Sequence, residues 1–174
     1  MRKFGVYVVL LILVFFSCDV NAQYSKDGYL FHQKIDAPRV RRPVAHEIMV
    51  DPLERLLVVS YSSYPTVVVL YEFDSWKVVG TYNIPEWFDL GHSYVDMNGR
   101  YIYLDFARYS SKYRRIDVET QKVDTVECYQ TPRGCVPKEG GIEQKEYTTK
   151  DKKYYITINK KNKRDILIFR KHDE

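Results

Sequence analysis

One pattern in this chain is written twice. Val50-Asp51 matches Val95-Asp96, Arg55 matches Arg100, and Lys77-Val78 matches Lys122-Val123, all at an offset of 45 residues. A fixed period of that length marks a chain assembled from copies of one supersecondary unit, each burying its apolar face against the next. The units run over about 46–83 and 92–128, with a shorter third over about 144–170.

Within a unit the pattern is that of β-strands. The first unit reads as strands at 46–50, 55–60, 66–73 and 76–82. Asp51-Pro-Leu-Glu54 forms the first turn, with proline presetting φ at its second position. Val67-Val-Val-Leu70 is apolar without a break, as in a strand covered on both faces, so the sheets are expected to stack. The second unit reads as strands at 92–95, 100–106, 112–118 and 121–128. Its first turn contains Asn98-Gly99, a dipeptide suited to positive φ. The third unit supplies two strands within 146–158 around a turn at 150–152, and a third strand at 164–170. It lacks a fourth. Gly28–Ile35 has the residues of a strand and is expected to pair with Ile166-Leu-Ile-Phe169, whose edge would otherwise invite aggregation.

Val50-Asp-Pro-Leu-Glu-Arg-Leu-Leu-Val-Val59 and Val95-Asp-Met-Asn-Gly-Arg-Tyr-Ile-Tyr103 resemble the second-strand motif of propeller blades of the YVTN and WD-repeat type. Phe73-Asp-Ser-Trp-Lys-Val-Val79 and Val118-Glu-Thr-Gln-Lys-Val123 are similar to the last hairpin of such blades. The resemblance implies an all-β, propeller-like arrangement of about three antiparallel four-stranded sheets, the N-terminal strand completing the last. It implies a fold and no activity. Closed propellers usually have four to eight blades, so three units predict an unusual body or an oligomer.

Residues 1–22 read as a secretory signal, with Arg2-Lys3, an apolar run from Val6 to Phe16, and Val20-Asn-Ala22 as the cleavage site. The folded domain is then 23–174, periplasmic or secreted. The rival reading is a lipoprotein signal with Cys18 acylated, the one route by which this chain would be membrane-anchored. Cys128 and Cys135 remain, and an even pair in an oxidising compartment reads as a disulfide. The net charge of +4 is mixed in sign and predicts no nucleic-acid partner.

No nucleophile elbow, metalloprotease helix, Walker loop or dinucleotide fingerprint is present, and no cofactor is predicted. The connections after each second strand carry a different signal. Tyr61-Ser-Ser-Tyr-Pro65 and Arg108-Tyr-Ser-Ser-Lys-Tyr113 combine tyrosine and serine, the composition of binding loops. Tyr61, Tyr64, Arg108, Tyr109, Ser110, Ser111 and Tyr113 are therefore the candidate contact surface. Arg133, on the Cys128–Cys135 loop, is a second candidate contact. The expected function is a non-catalytic module that binds another protein. Small immunity proteins of bacterial effector systems are similar in size, compartment and β-rich composition. That likeness implies an inhibitor whose partner is a secreted effector enzyme. The competing readings are a glycan-acting envelope enzyme using His46, His92 and Asp96, and a structural lipoprotein held at Cys18.

Overall fold

The computed structural model describes residues 25–26, 28–63, 65–85, 93–96, 98–105, 112–127 and 145–172. Every regular element among them is a strand. In chain order these are β1 (Ser25–Lys26), β2 (Tyr29–Ile35), β3 (Val44–Val50), β4 (Leu56–Ser62), β5 (Thr66–Glu72), β6 (Val78–Ile84) and β7 (Tyr94–Val95). They continue with β8 (Tyr101–Asp105), β9 (Lys112–Asp117), β10 (Lys122–Glu127), β11 (Glu146–Thr148), β12 (Tyr154–Ile158) and β13 (Ile166–Lys171).

The strands form three antiparallel sheets, one for each repeat. The first is the meander β3-β4-β5-β6 and the second is β7-β8-β9-β10. The third is β11-β12-β13 extended by β2 and then β1. The N-terminal strand thus completes the last sheet, with Ile35 opposite Ile166 and Tyr29 opposite Lys171. The two-residue β1 beyond it makes this sheet five-stranded rather than four.

Each sheet opens with the same turn. Glu54 N–H donates to the Asp51 carbonyl, Gly99 N–H to Asp96, and Lys152 N–H to Thr149, at 2.8–2.9 Å. The closing residue has positive φ in all three: 54° at Glu54, 67° at Gly99 and 59° at Lys152. The residue at the head of each turn then caps the strand that follows. Asp51 Oδ1 accepts from the backbone N–H of Arg55 and Leu56, and Asp96 Oδ1 from Arg100 and Tyr101. Thr149 Oγ1 accepts from Tyr154 N–H in the same place. A hydroxyl therefore does in the third unit what a carboxylate does in the first two.

The first sheet lies between the other two. Ile48, Leu57, Val59, Val67 and Val69 on one face pack with Tyr154, Ile156, Ile158, Ile166 and Ile168 of the third sheet. Trp76 joins this layer, 4.9 Å from the Phe73 ring and 5.2 Å from Tyr154. Met49, Val58, Val68 and Leu70 on the other face pack with Ile102, Leu104 and Ile116 of the second sheet. Each such side chain contributes about 1.5–3 kcal/mol on burial, which explains why β4 and β5 carry unbroken apolar runs. The leading strands lie innermost, β3 touching both β7 and β11, so the sheets are arranged like propeller blades.

Candidate functional site

The stack has two distinct ends. At one, which we call the turn end, the three opening turns are joined. Arg55 Nη2 donates to the Asn98 carbonyl at 2.6 Å. Glu54 Oε1 accepts from Tyr147 Oη at 2.7 Å and from Lys150 N–H at 2.8 Å. Lys153 Nζ lies 3.0 Å from Asp74 Oδ1. Third is thereby joined to first, and first to second.

The opposite end carries the connections between the second and third strands of the first and third units. In the third unit this connection, 159–165, lies against the entry to β3, Ala45 N–H donating to the Lys163 carbonyl at 2.8 Å. In the first unit the end of β4 and the start of β5 lie at the same end, Tyr61 standing opposite Val67, while the second unit's connection, 106–111, falls outside the described residues. We call this second end the loop end.

Tyr61 and Tyr113, the two candidate side chains among the described residues, do not share a surface there. Tyr61 is fully buried. β4 extends through Ser62, so Tyr61 shares a face with Leu57 and Val59 and joins the core between the first and third sheets. Burial, and next the adjacent Tyr71, raises its hydroxyl well above the ordinary tyrosine range. Tyr113 is also buried, on the outer side of the second sheet, its ring 6.3 Å from Tyr103. The two tyrosines expected to share a contact patch are thus interior groups on different sheets. Tyr64, Arg108, Tyr109, Ser110, Ser111, Arg133, Cys128 and Cys135 lie outside the described residues, as do Cys18 and the signal segment.

His46 and Asp96, paired in the enzyme reading, stand at opposite ends. His46 sits at a bulge near the start of β3, five residues before Asp51. A strand rises about 3.3 Å per residue, which puts His46 roughly 16 Å from the turn end. Asp96 occupies the second sheet's equivalent of Asp51 and spends Oδ1 on the two backbone donors of its turn. His92 lies outside the described residues. Among the described residues no group of three His, Cys, Asp or Glu could hold a metal ion.

Two features were missed in the sequence. The first is a buried polar layer between the first and second sheets, near the loop end. Glu47, Ser60, Thr66 and Ser93 there are each at most 2% exposed. Glu47 and Ser60 are cross-strand partners. Glu47 alternates with the inward Ile48 and shares a side with Met49, so the period-2 rule alone assigns it to an interior face. The second is a ladder on the outer face of the second sheet. Arg100 and Arg115 lie 5.1 and 4.7 Å from the Tyr101 ring centroid, over the same side chain. Arg115 is also bidentate to Asp124, which, with the Tyr103 hydroxyl, raises its guanidinium further above its ordinary value.

No family model matches the chain, and no curated protein matches it. Among solved structures it is similar to Kuenenia stuttgartiensis hydrazine synthase, at 17% identity and a TM-score of 0.43, over 71% of this chain and 32% of that one. It is also similar to a structure titled the Dos1 propeller, at 10% identity and a TM-score of 0.42, over 72% of this chain and 41% of that one. The chain thus spans well under half the length of either structure.

Proposed function

We propose that this chain is an exported, non-catalytic protein-binding module that engages its partner with the loop end of the stack. The observation that carries this reading is the common direction of the three repeats. The opening turns are tied together by Arg55–Asn98 and Glu54–Lys150, which supports a reading in which the connections between second and third strands are presented together at the other end. Preorganised loops lose little entropy on docking. The separation of His46 from Asp96 along the strands favours binding over catalysis. A secreted effector enzyme is the partner most in keeping with this design, and inhibition the outcome. The Tyr/Ser segments at 61–65 and 108–113, and the 128–135 loop, are the elements that would face it.

The test is capture of partners from an envelope extract on the immobilised mature chain. The comparison is a variant with Tyr109, Ser110 and Ser111 changed to Ala. Loss of one captured protein, with unchanged thermal stability, supports the reading. Retention of every captured protein removes these loops as the contact.

A further inference from the structure

The third sheet's connection and the segment leading into β3 converge at the loop end. Residues 36–43 run from the end of β2 to the start of β3, and residues 159–165 join β12 to β13. Ala37 N–H donates to Asp165 Oδ1 at 3.3 Å, and Ala45 N–H to the Lys163 carbonyl at 2.8 Å. Segments more than a hundred residues apart thus form one surface.

That surface is strongly basic. Arg39, Arg41 and Arg42 come from the first segment, and Lys160, Lys161, Lys163 and Arg164 from the second. The carboxylates among them are Asp36 and Asp165. Seven cations against two anions leave a surplus of five, whereas the whole chain nets +4. The remaining residues together therefore carry no positive excess. Both carboxylates are already engaged, and of the seven cations Lys160 is paired, its Nζ 3.7 Å from Glu146 Oε1. Asp36 pairs with Lys34 at 2.6 Å, and Asp165 accepts from Ala37 and from Asn162 Nδ2 at 2.8 Å. Arg39, Arg41, Arg42, Lys163 and Arg164 are exposed and have no carboxylate within 4.0 Å among the described residues.

The presentation is fixed. Ala37 and Val40 pack on the core, which turns the neighbouring Arg39 and Arg41 outward. Asn159 is buried and braces the loop. Its Oδ1 accepts from Lys161 N–H at 3.0 Å and its carbonyl from Lys163 N–H at 2.7 Å, while Asn162 Oδ1 accepts from Arg164 N–H at 2.9 Å. A loop held by its own hydrogen bonds offers its cations with little backbone ordering cost on binding.

We propose that this surface receives an acidic protein, a refinement that rests on the protein-binding reading above. Cations spread over two exposed segments suit a broad field of carboxylates. Unstacked bases call for an aromatic platform, and the described part of this surface has none exposed. Complementary charge of this kind accelerates encounter and makes binding sensitive to salt.

The experiment measures binding of the full mature chain to fluorescent poly-glutamate at low and high salt. It compares the triple variant Arg39→Glu, Arg41→Glu, Arg164→Glu with a control of identical charge change at the turn end, Lys77→Glu, Lys122→Glu, Lys152→Glu. The expected result is a loss of roughly tenfold or more in affinity for the first variant, little change for the control, and weakening by salt. Equal losses in both variants, or salt-insensitive binding, overturn the proposal. Tighter binding to phosphatidylglycerol vesicles or to single-stranded DNA, abolished by the same variant, overturns it in favour of a membrane or a nucleic acid. Poly-glutamate binding with no captured envelope protein would uphold the surface and count against the protein-binding reading, so the two failures are distinguishable.

Discussion

Arg55 Nη2 reaches the backbone carbonyl of Asn98 at 2.6 Å, joining the opening turn of one repeat to that of the next. The contact needs the following residue to lack a side chain. A Cβ on Gly99 would stand 2.4 Å from Arg55 Nη2 and 2.7 Å from Asp51 Oδ2, at a backbone φ of +67°. Gly99→Ala is therefore expected to lower stability by about 1–2 kcal/mol from the left-handed backbone alone, and further from the clash. Urea denaturation of Gly99→Ala, with and without Arg55→Ala, isolates the arginine's share. Removing the arginine relieves its part of the clash and leaves the contact with Asp51 and the backbone cost.

Asp51 is fully buried, and both carboxylate oxygens are used. Oδ1 takes the N–H of Arg55 and Leu56, and Oδ2 takes Arg55 Nε at 3.1 Å. Asp51→Asn sets an amide donor among donors and strands at least one of them. The expected cost is about 2–3 kcal/mol. The same change at the more exposed Asp96 is expected to cost less, a ranking that thermal melts of the two variants would check.

Buried tyrosines make the fold sensitive to alkali. Burial, then the Glu146 carboxylate, pushes Tyr155 up to about 12, and burial also raises Tyr61, Tyr71, Tyr82 and Tyr147. In the unfolded chain these groups ionise near 10, so above that pH the unfolded state has lost protons that the folded state keeps. Stability then falls as pH rises. Stability is expected to be flat below about pH 10 with respect to these groups and to decline steadily toward pH 12. Tyrosinate absorbance followed alongside circular dichroism should show several tyrosines titrating only as structure is lost.

Tyr61→Ala empties a core position between two sheets, at an expected cost of about 3–5 kcal/mol. Tyr61→Phe keeps the ring and is expected to fold well. If partner capture survives in Tyr61→Phe but is lost in Tyr61→Ala along with stability, the residue supports the scaffold and does not touch the partner.

Deleting residues up to Ile35 uncovers the edge of β13, whose Ile166-Leu-Ile-Phe169 is buried on both faces. Bare apolar edges pair with one another. The truncated chain is expected to sediment as aggregates where the full mature chain stays in solution, which analytical ultracentrifugation reads directly.

The architecture was legible because it is local chemistry repeated. An aspartate that caps its own turn recurs at 51 and 96, and the apolar edge at 166–169 announced that a strand was owed to it. The third turn was harder, since Thr149 replaces the carboxylate with a hydroxyl of the same reach. Tyr61 was misread for a definite reason. Serines on either side of it suggest a loop, yet 57, 59 and 61 alternate in step, and the strand continues through them. The basic runs at 39–42 and 160–164 are legible along the chain, but their convergence is not. The two segments meet, through Ala37–Asp165 and Ala45–Lys163, only when β2 is laid against β13.

That same pairing governs how the molecule is made and how it comes apart. β2 can join the third sheet only after β13 has been synthesised, so this sheet is expected to close last and slowest, with the two strands separated by most of the chain. Gly28 and His172 lie side by side, the His172 N–H donating to the Gly28 carbonyl at 3.1 Å. Tension applied to the two chain ends would therefore open β2 from β13 like a zipper, one bond at a time, instead of shearing all of them together.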